Sequence, residues 1–172
     1  MKILVSACLL GENCKYDGTN NFDENVAKLS EKFEIIPVCP ECFGGLPTPR
    51  TPAEILDGKV ISKSGVDVTE QFEAGARATL YLANECNVSY AILKERSPSC
   101  GFRKIYDGTF SKTLTFGNGI TAELLYQNGV RIFGETDIER FLEEIEEFNK
   151  WCNQRSKFFS FDLFCDLEVF FI

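Results

Sequence analysis

Eight cysteines and no histidine among 172 residues set the chemistry open to this chain. Without imidazole it lacks the commonest zinc ligand and the usual acid or base of neutral-pH catalysis. A metal site must then rest on thiolates or carboxylates, and proton transfer on other groups. Cys8, Cys39 and Cys100 each stand at or just beyond the end of a short apolar, β-rich run, at residues 2–6, 33–38 and 90–93. Loops leaving the carboxyl ends of parallel strands converge over a crevice, so thiols delivered by separate strands can meet there. The bland alternative is that they are small hydrophobes that happen to finish strands. Gly11, Gly18, Gly44, Gly45 and Gly101 lie in the same loops and allow close backbone approach to a bulky ligand. Three thiolates without a histidine suit an iron-sulfur cluster better than a catalytic zinc. Three protein ligands leave one iron open, and an open iron is a Lewis acid able to take a soft sulfur atom from a substrate.

Cys14 and Cys42 are nearby competitors, and Cys39-Pro40-Glu41-Cys42 also reads as a redox dithiol or half of a zinc site. A redox dithiol should open a helix, whereas the following Phe43-Gly44-Gly45-Leu46-Pro47 is expected to break one. Cys86, Cys152 and Cys165 are expected to be packing or exposed thiols. Glu41 is the candidate proton carrier, since a carboxylate next to a metal centre can move protons to and from a heteroaromatic ring or activate water where no histidine exists; the alternative is a solvated loop acid. Ser99, with Ser97 beside it, is the candidate hydroxyl for a substrate or a cluster sulfide. Asp17 is equally a turn former or a proton carrier. Arg50 either binds a substrate carbonyl or phosphate, or pairs with Glu54.

The elements that must position these residues alternate. A helix at residues 24–32, with Val26, Leu29 and Phe33 at helical spacing, separates the first two strands. A longer one at 68–86, with Phe72, Ala76, Thr79, Leu80 and Ala83 on one face and Asp67 or Thr69 as cap, separates the second from the third. Residues 46–52 read as a Pro-rich loop and 53–61 as a hairpin turning at Asp57-Gly58. A helix at 119–128, a strand at 130–133 and an acidic helix at 137–148 follow. Strand and helix in alternation predict an α/β, Rossmann-like parallel sheet with flanking helices and a small hairpin insertion. The predicted domain spans 1–148. Residues 149–172 form a tail of different character, readable as an added strand, a packing arm or the contact of a homodimer.

A chain that is 44% hydrophobic and 13% aromatic can build a real core, which excludes disorder. A net charge of -8 argues against nucleic acid as a partner and for a small-molecule substrate. The apolar opening stops at Cys8 and Gly11, too short to span a membrane or to act as a full signal peptide, so a cytoplasmic location is expected.

The segments Ser6-Ala7-Cys8-Leu9-Leu10-Gly11, Cys14-Lys15-Tyr16-Asp17-Gly18, Pro37-Val38-Cys39-Pro40-Glu41, Gly44-Gly45-Leu46-Pro47-Thr48-Pro49-Arg50 and Lys94-Glu95-Arg96-Ser97-Pro98-Ser99-Cys100-Gly101 together resemble the thiouracil desulfurase family, from the start of the chain to about Phe148. The resemblance implies a 4Fe-4S cluster held by Cys8, Cys39 and Cys100. It also implies an open iron that binds the sulfur of a thiolated pyrimidine such as 2-thiouracil, and sulfur removal without net redox change. Glu41 and Ser99 are the implied participants in proton handling and substrate binding. Cys42 departs from the family's pattern. The competing reading is a cluster or metal binding module, a sensor or carrier, without turnover.

Overall fold

A computed structural model describes residues 1–158, and the chain divides into two units, Met1–Ile138 and Glu139–Ile172. In the first unit, strands β1 (Lys2–Ser6), β2 (Glu34–Val38), β5 (Tyr90–Leu93) and β8 (Arg131–Gly134) form one sheet in the order β2-β1-β5-β8. All three pairings are parallel, with Leu4 opposite Ala91 and Ser6 opposite Val38. A parallel sheet is covered on both faces, which is why its central strands are runs of fully buried residues: Ile3, Leu4 and Val5 on β1 and Ala91, Ile92 and Leu93 on β5. Pro37 sits on β2, the edge strand, where a missing N–H costs no ladder bond.

The chain leaves β1 toward β2 on one side and later fills β5 on the other. The strand order therefore reverses between β1 and β5, and the crevice of an open α/β sheet opens at their carboxyl ends. One side of the sheet carries α3 (Thr69–Glu85) and α4 (Ile120–Gln127), whose Ala83, Ala122 and Leu125 pack with Leu4, Leu93 and Ile132. Neither expected cap is adopted: the N-cap of α3 is Val68, which has no capping side chain, and Asp67 just before it accepts the Thr69 N–H at 3.0 Å. The helix expected at 24–32 is shorter: α1 (Glu24–Ala27), capped by the Asp23 carboxylate, tightens into a 3-10 turn over Lys28–Glu31.

The hairpin insertion is β3 (Ala53–Leu56) with β4 (Lys59–Ser62), turning at Asp57 and Gly58, both at positive φ as a two-residue hairpin turn demands. A second hairpin, β6 (Lys104–Tyr106) with β7 (Leu114–Phe116), was not legible in the sequence. Its strands are three residues each and its connection, 107–113, is too long to carry a tight-turn signature.

A second departure concerns Cys39, which does open a helix, the single turn α2 (Pro40–Phe43) with proline at its first position. The turn ends at Gly44, and close packing decides both facts. A Cβ on Gly44 would lie 1.9 Å from the Gln71 carbonyl oxygen, and one on Gly75 would lie 1.8 Å from that of Pro40. Glycine at both positions lets α2 lie directly on α3, which steadies the cysteine at its head.

In the second unit, α5 (Ile138–Phe158) runs on through the residues read as the start of the tail, with the rings of Phe148 and Trp151 stacked 6.2 Å apart. Cys165 and the rest of the tail lie outside the described residues. No described helix is long and apolar enough to cross a membrane.

Candidate functional site

The carboxyl ends of β1, β2 and β5 surround a cavity of about 480 Å³, and Cys8, Cys14, Cys39 and Cys100 all line it. Cys8 lies in the 3-10 turn Ala7–Leu10 directly after β1, with its carbonyl holding the Asn21 N–H at 2.9 Å. Cys39 is the residue between β2 and α2. Cys100 sits in a turn tied down from two sides. Ser97 Oγ accepts the N–H groups of Ser99 and Cys100, each at 3.1 Å. The first amides of α4 bond the same turn, Ile120 to the Pro98 carbonyl at 3.0 Å and Thr121 to the Ser99 carbonyl at 3.0 Å.

The four thiols differ in ionisation. Hydrogen bonding with the Cys14 thiol is the main cause that lowers Cys8 to about 7 and Cys39 to about 6. A thiol has one proton, so Cys14 serves one of the two at a time. The same bonds push Cys14 itself upward. Burial pushes Cys100 upward, against a hydrogen bond with Ser6 that favours the thiolate. Cys100 therefore gives up its proton at neutral pH only when a cation is there to compensate the buried charge.

This donor set fits the cluster read from the sequence. The cavity presents several thiols and no imidazole, and two of the thiols favour the anionic form that binds iron. Among the described residues, no three cysteine, aspartate or glutamate side chains close on a single metal ion.

Glu41 also lines the cavity, and its Oε2 accepts a hydrogen bond from Arg50 Nε at 2.8 Å. The Arg50 side chain is only 7% exposed. Its Nη1 donates to the Thr48 hydroxyl at 3.1 Å and its Nη2 to the Cys14 carbonyl at 3.0 Å. The alternative pairing with Glu54 is not the one adopted. Instead Glu54, 9% exposed, accepts the Phe110 N–H at 2.9 Å and ties the 107–113 loop over the cavity. Asp17 is a turn former, its Oδ1 holding Thr19 through both N–H and hydroxyl.

The two serines separate. Ser99 is fully buried and shares a 2.9 Å hydrogen bond with the Thr121 hydroxyl, behind the wall rather than on it. Ser97 is the serine that lines the cavity. The sequence places the two hydroxyls two residues apart and cannot say which faces the crevice; the docking of α4 decides it.

Sequence reasoning did not assign Glu54, Tyr106 and Phe110 to the site, although all three line it. Glu54 carried a signal, a lone acid on a short strand directly after the Pro-rich loop. The two aromatics had none without the second hairpin.

A family model described as 2-thiouracil desulfurase matches residues 3–137. The chain belongs to the 2-thiouracil desulfurase family. It is 45% identical over 150 residues to YbbK of Bacillus subtilis, an alignment covering 81% of this chain and 99% of YbbK. Its fold is similar to the solved structure of a 4Fe-4S-dependent thiouracil desulfidase, TudS, with a TM-score of 0.80 and 39% identity over 84% of this chain and 97% of that one. The matched segment of this desulfurase-family chain contains the cavity and every residue named in it.

Proposed function

We propose that this chain is a desulfurase that removes sulfur from a thiolated pyrimidine such as 2-thiouracil, with a 4Fe-4S cluster held by Cys8, Cys39 and Cys100. The observation that carries this reading is the meeting of cysteines from the ends of β1, β2 and β5 in one cavity with a carboxylate and a hydroxyl. The likeness to TudS supports the cofactor and the substrate class. When bound, such a cluster supplies an iron with an open position, a Lewis acid for the thiocarbonyl sulfur.

The remaining work falls to the chain's own residues. The net change exchanges water for hydrogen sulfide: a carbon–oxygen bond forms, the carbon–sulfur bond breaks, and no electrons are gained or lost. Both protons of the water must leave its oxygen, and both end on the departing sulfur as hydrogen sulfide. Glu41 can carry them, because Arg50 engages Oε2 and leaves Oε1 for the cavity. The Ser97 oxygen already accepts two backbone N–H groups, so its own O–H is free to donate into the cavity it lines. We assign to Ser97 the substrate-binding hydroxyl that the sequence placed at Ser99. Ser99 instead holds the Cys100 turn against α4. Glu54 offers a carboxylate oxygen to a ring N–H, and Tyr106 and Phe110 offer aromatic faces to the ring.

The test is anaerobic reconstitution with iron and sulfide, followed by incubation with 2-thiouracil. Uracil and sulfide should appear in equal amounts. A protein that shows the cluster spectrum and releases neither product is a binding module, and the desulfurase reading is then wrong.

A further inference from the structure

Lys94 stands at the sheet edge and has no part in the reaction as proposed. It follows β5 directly, and its N–H donates to the hydroxyl of Ser6, the last residue of β1, at 2.9 Å. That bond puts Lys94 at the point between β1 and β5 where the strand order reverses, which is where an open α/β sheet takes its ligand. Lys94 lines the cavity, with its side chain 26% exposed.

A clasp just beyond the ends of β5 and β8 holds this lysine. Glu135 Oε1 receives Lys94 Nζ, and Glu135 Oε2 receives the Glu95 N–H at 2.7 Å. Glu95 returns the contact, its Oε1 accepting the Thr136 N–H at 3.2 Å and the Thr136 hydroxyl. Gly134 makes room for this, since a Cβ there would lie 2.3 Å from Glu95 Oε1. Glu135 is 13% exposed and is not itself part of the cavity wall. Taking an ion pair this far out of water costs about what the attraction returns, so stability does not account for the clasp. Its effect is to fix a lysine. An ammonium has three N–H donors and Glu135 engages one, which leaves two for whatever fills the cavity.

The other cations of the cavity wall are not placed this way. Arg50 is committed to Glu41, Thr48 and the carbonyls of Pro47 and Cys14. Lys15 is paired with Asp17, and Lys63, Arg96 and Lys112 are exposed.

On the reading that the cavity takes a thiolated pyrimidine, we infer that Lys94 is the specificity residue that donates to the ring carbonyl of the substrate, and that Glu135 positions it for that bond. Together with the acceptor Glu54, this donor makes the cavity select a ring that carries both a carbonyl and an N–H. The base 2-thiouracil satisfies both. In 2-thiocytosine an amino group replaces the carbonyl and sets N–H against N–H. Leaving a half-buried donor unpaired is how a polar site rejects a ring of nearly the same shape.

The experiment measures sulfide release from 2-thiouracil and from 2-thiocytosine by cluster-loaded wild type, Lys94→Met, Glu135→Ala and Glu135→Gln. Wild type should favour 2-thiouracil in kcat/KM by about a hundred-fold or more. Lys94→Met keeps the length of the side chain and removes its donors. It should retain the cluster absorbance and kcat, and raise KM for 2-thiouracil by roughly ten- to a hundred-fold, the worth of a hydrogen bond to a charged group. Its KM for 2-thiocytosine should stay unchanged or fall. Glu135→Ala should move the ratio of the two substrates in the same direction by less, and Glu135→Gln, whose amide oxygen still accepts one N–H, by less again. A clasp of purely structural value would change both substrates alike. Equal changes for the two, or an unchanged KM for 2-thiouracil in Lys94→Met, overturn the inference and leave the desulfurase reading standing. Wild type that releases sulfide from neither base overturns both. Should the variants fail to fold, wild type still decides: uracil should inhibit turnover of 2-thiouracil competitively and cytosine should not, and equal inhibition by the two overturns the inference.

Discussion

The cavity has a floor and a roof built on different principles. The floor is the carboxyl edge of a parallel sheet, where Cys8, Cys39 and Cys100 follow strands whose register is locked by buried, fully paired neighbours. The roof is made of two hairpins outside that sheet, contributing Glu54 from β3 and Tyr106 and Phe110 from β6 and its loop. The Phe110 N–H donates to Glu54 across them, and Gly108 packs against the Ile55 carbonyl and Leu56. A rigid floor suits a cofactor, which tolerates little change in ligand spacing. A roof of two-stranded hairpins outside the buried sheet suits a substrate that must enter and leave. On the proposed function, cofactor holding falls to the floor and substrate selection to the roof, and mutations should divide along the same line.

The largest effect should come from the floor. Cys39→Ser or Cys100→Ala should abolish the iron-sulfur absorbance after reconstitution and reduce sulfide release to background, while far-ultraviolet circular dichroism stays native. A Cys100→Ala protein with its full cluster spectrum would remove the floor's claim to the cofactor.

Next comes the boundary between the two. Glu41→Gln keeps the shape of the side chain and removes its ionisation. It should hold its cluster and lose turnover by roughly a hundred-fold to ten-thousand-fold, the usual contribution of general acid or base catalysis. Turnover at the wild-type rate would make Glu41 a loop residue tied to Arg50, whereas loss of iron would make it part of the floor.

The roof should give a smaller and different signature. Glu54→Gln ought to leave cluster content and absorbance unchanged and raise KM for 2-thiouracil by roughly ten- to a hundred-fold, since a hydrogen bond to a charged group is worth about 1.5–3 kcal/mol. If iron content falls instead, roof and floor are one structure and the comparison fails.

Within the floor, the thiols themselves should be distinguishable in cluster-free protein by timed alkylation and mass spectrometry. Hydrogen bonding from Cys14 lowers Cys39 to about 6 and Cys8 to about 7, while burial raises Cys100. At pH 7 Cys39 is then the more readily ionised of the two, so Cys39 should react first, Cys8 next and Cys100 last. Lowering the pH to about 5 protonates both reactive thiols and should slow them together. The smallest effect is expected at Cys86, at the end of α3 and away from the cavity, where Cys86→Ser should change neither iron content nor rate.

Much of the floor was legible in advance. Apolar runs ending in cysteine marked β1, β2 and β5, and the alternation of strand and helix implied a parallel sheet whose carboxyl edge would gather the three thiols. The Asp57-Gly58 dipeptide marked the first hairpin, because its backbone requires positive φ where few other residues sit without strain. The second hairpin escaped notice because its strands are short and its connection long, and short strands take their conformation from neighbours rather than from intrinsic preference.

What the sequence by itself determined is therefore the local chemistry. It set which residues can carry negative sulfur, that no imidazole can take part, where strands stop, and that Glu41 stands two residues from Cys39. Only the tertiary structure decided how those groups face one another. It paired Arg50 with Glu41 rather than Glu54, turned Ser97 to the cavity and sealed Ser99 against Thr121, and brought Cys14 into the cavity with Cys8 and Cys39. Each of these outcomes depends on segments far apart in the chain being packed together. Periodicity reports which face of an element is buried, but not which side chain of another element will meet it.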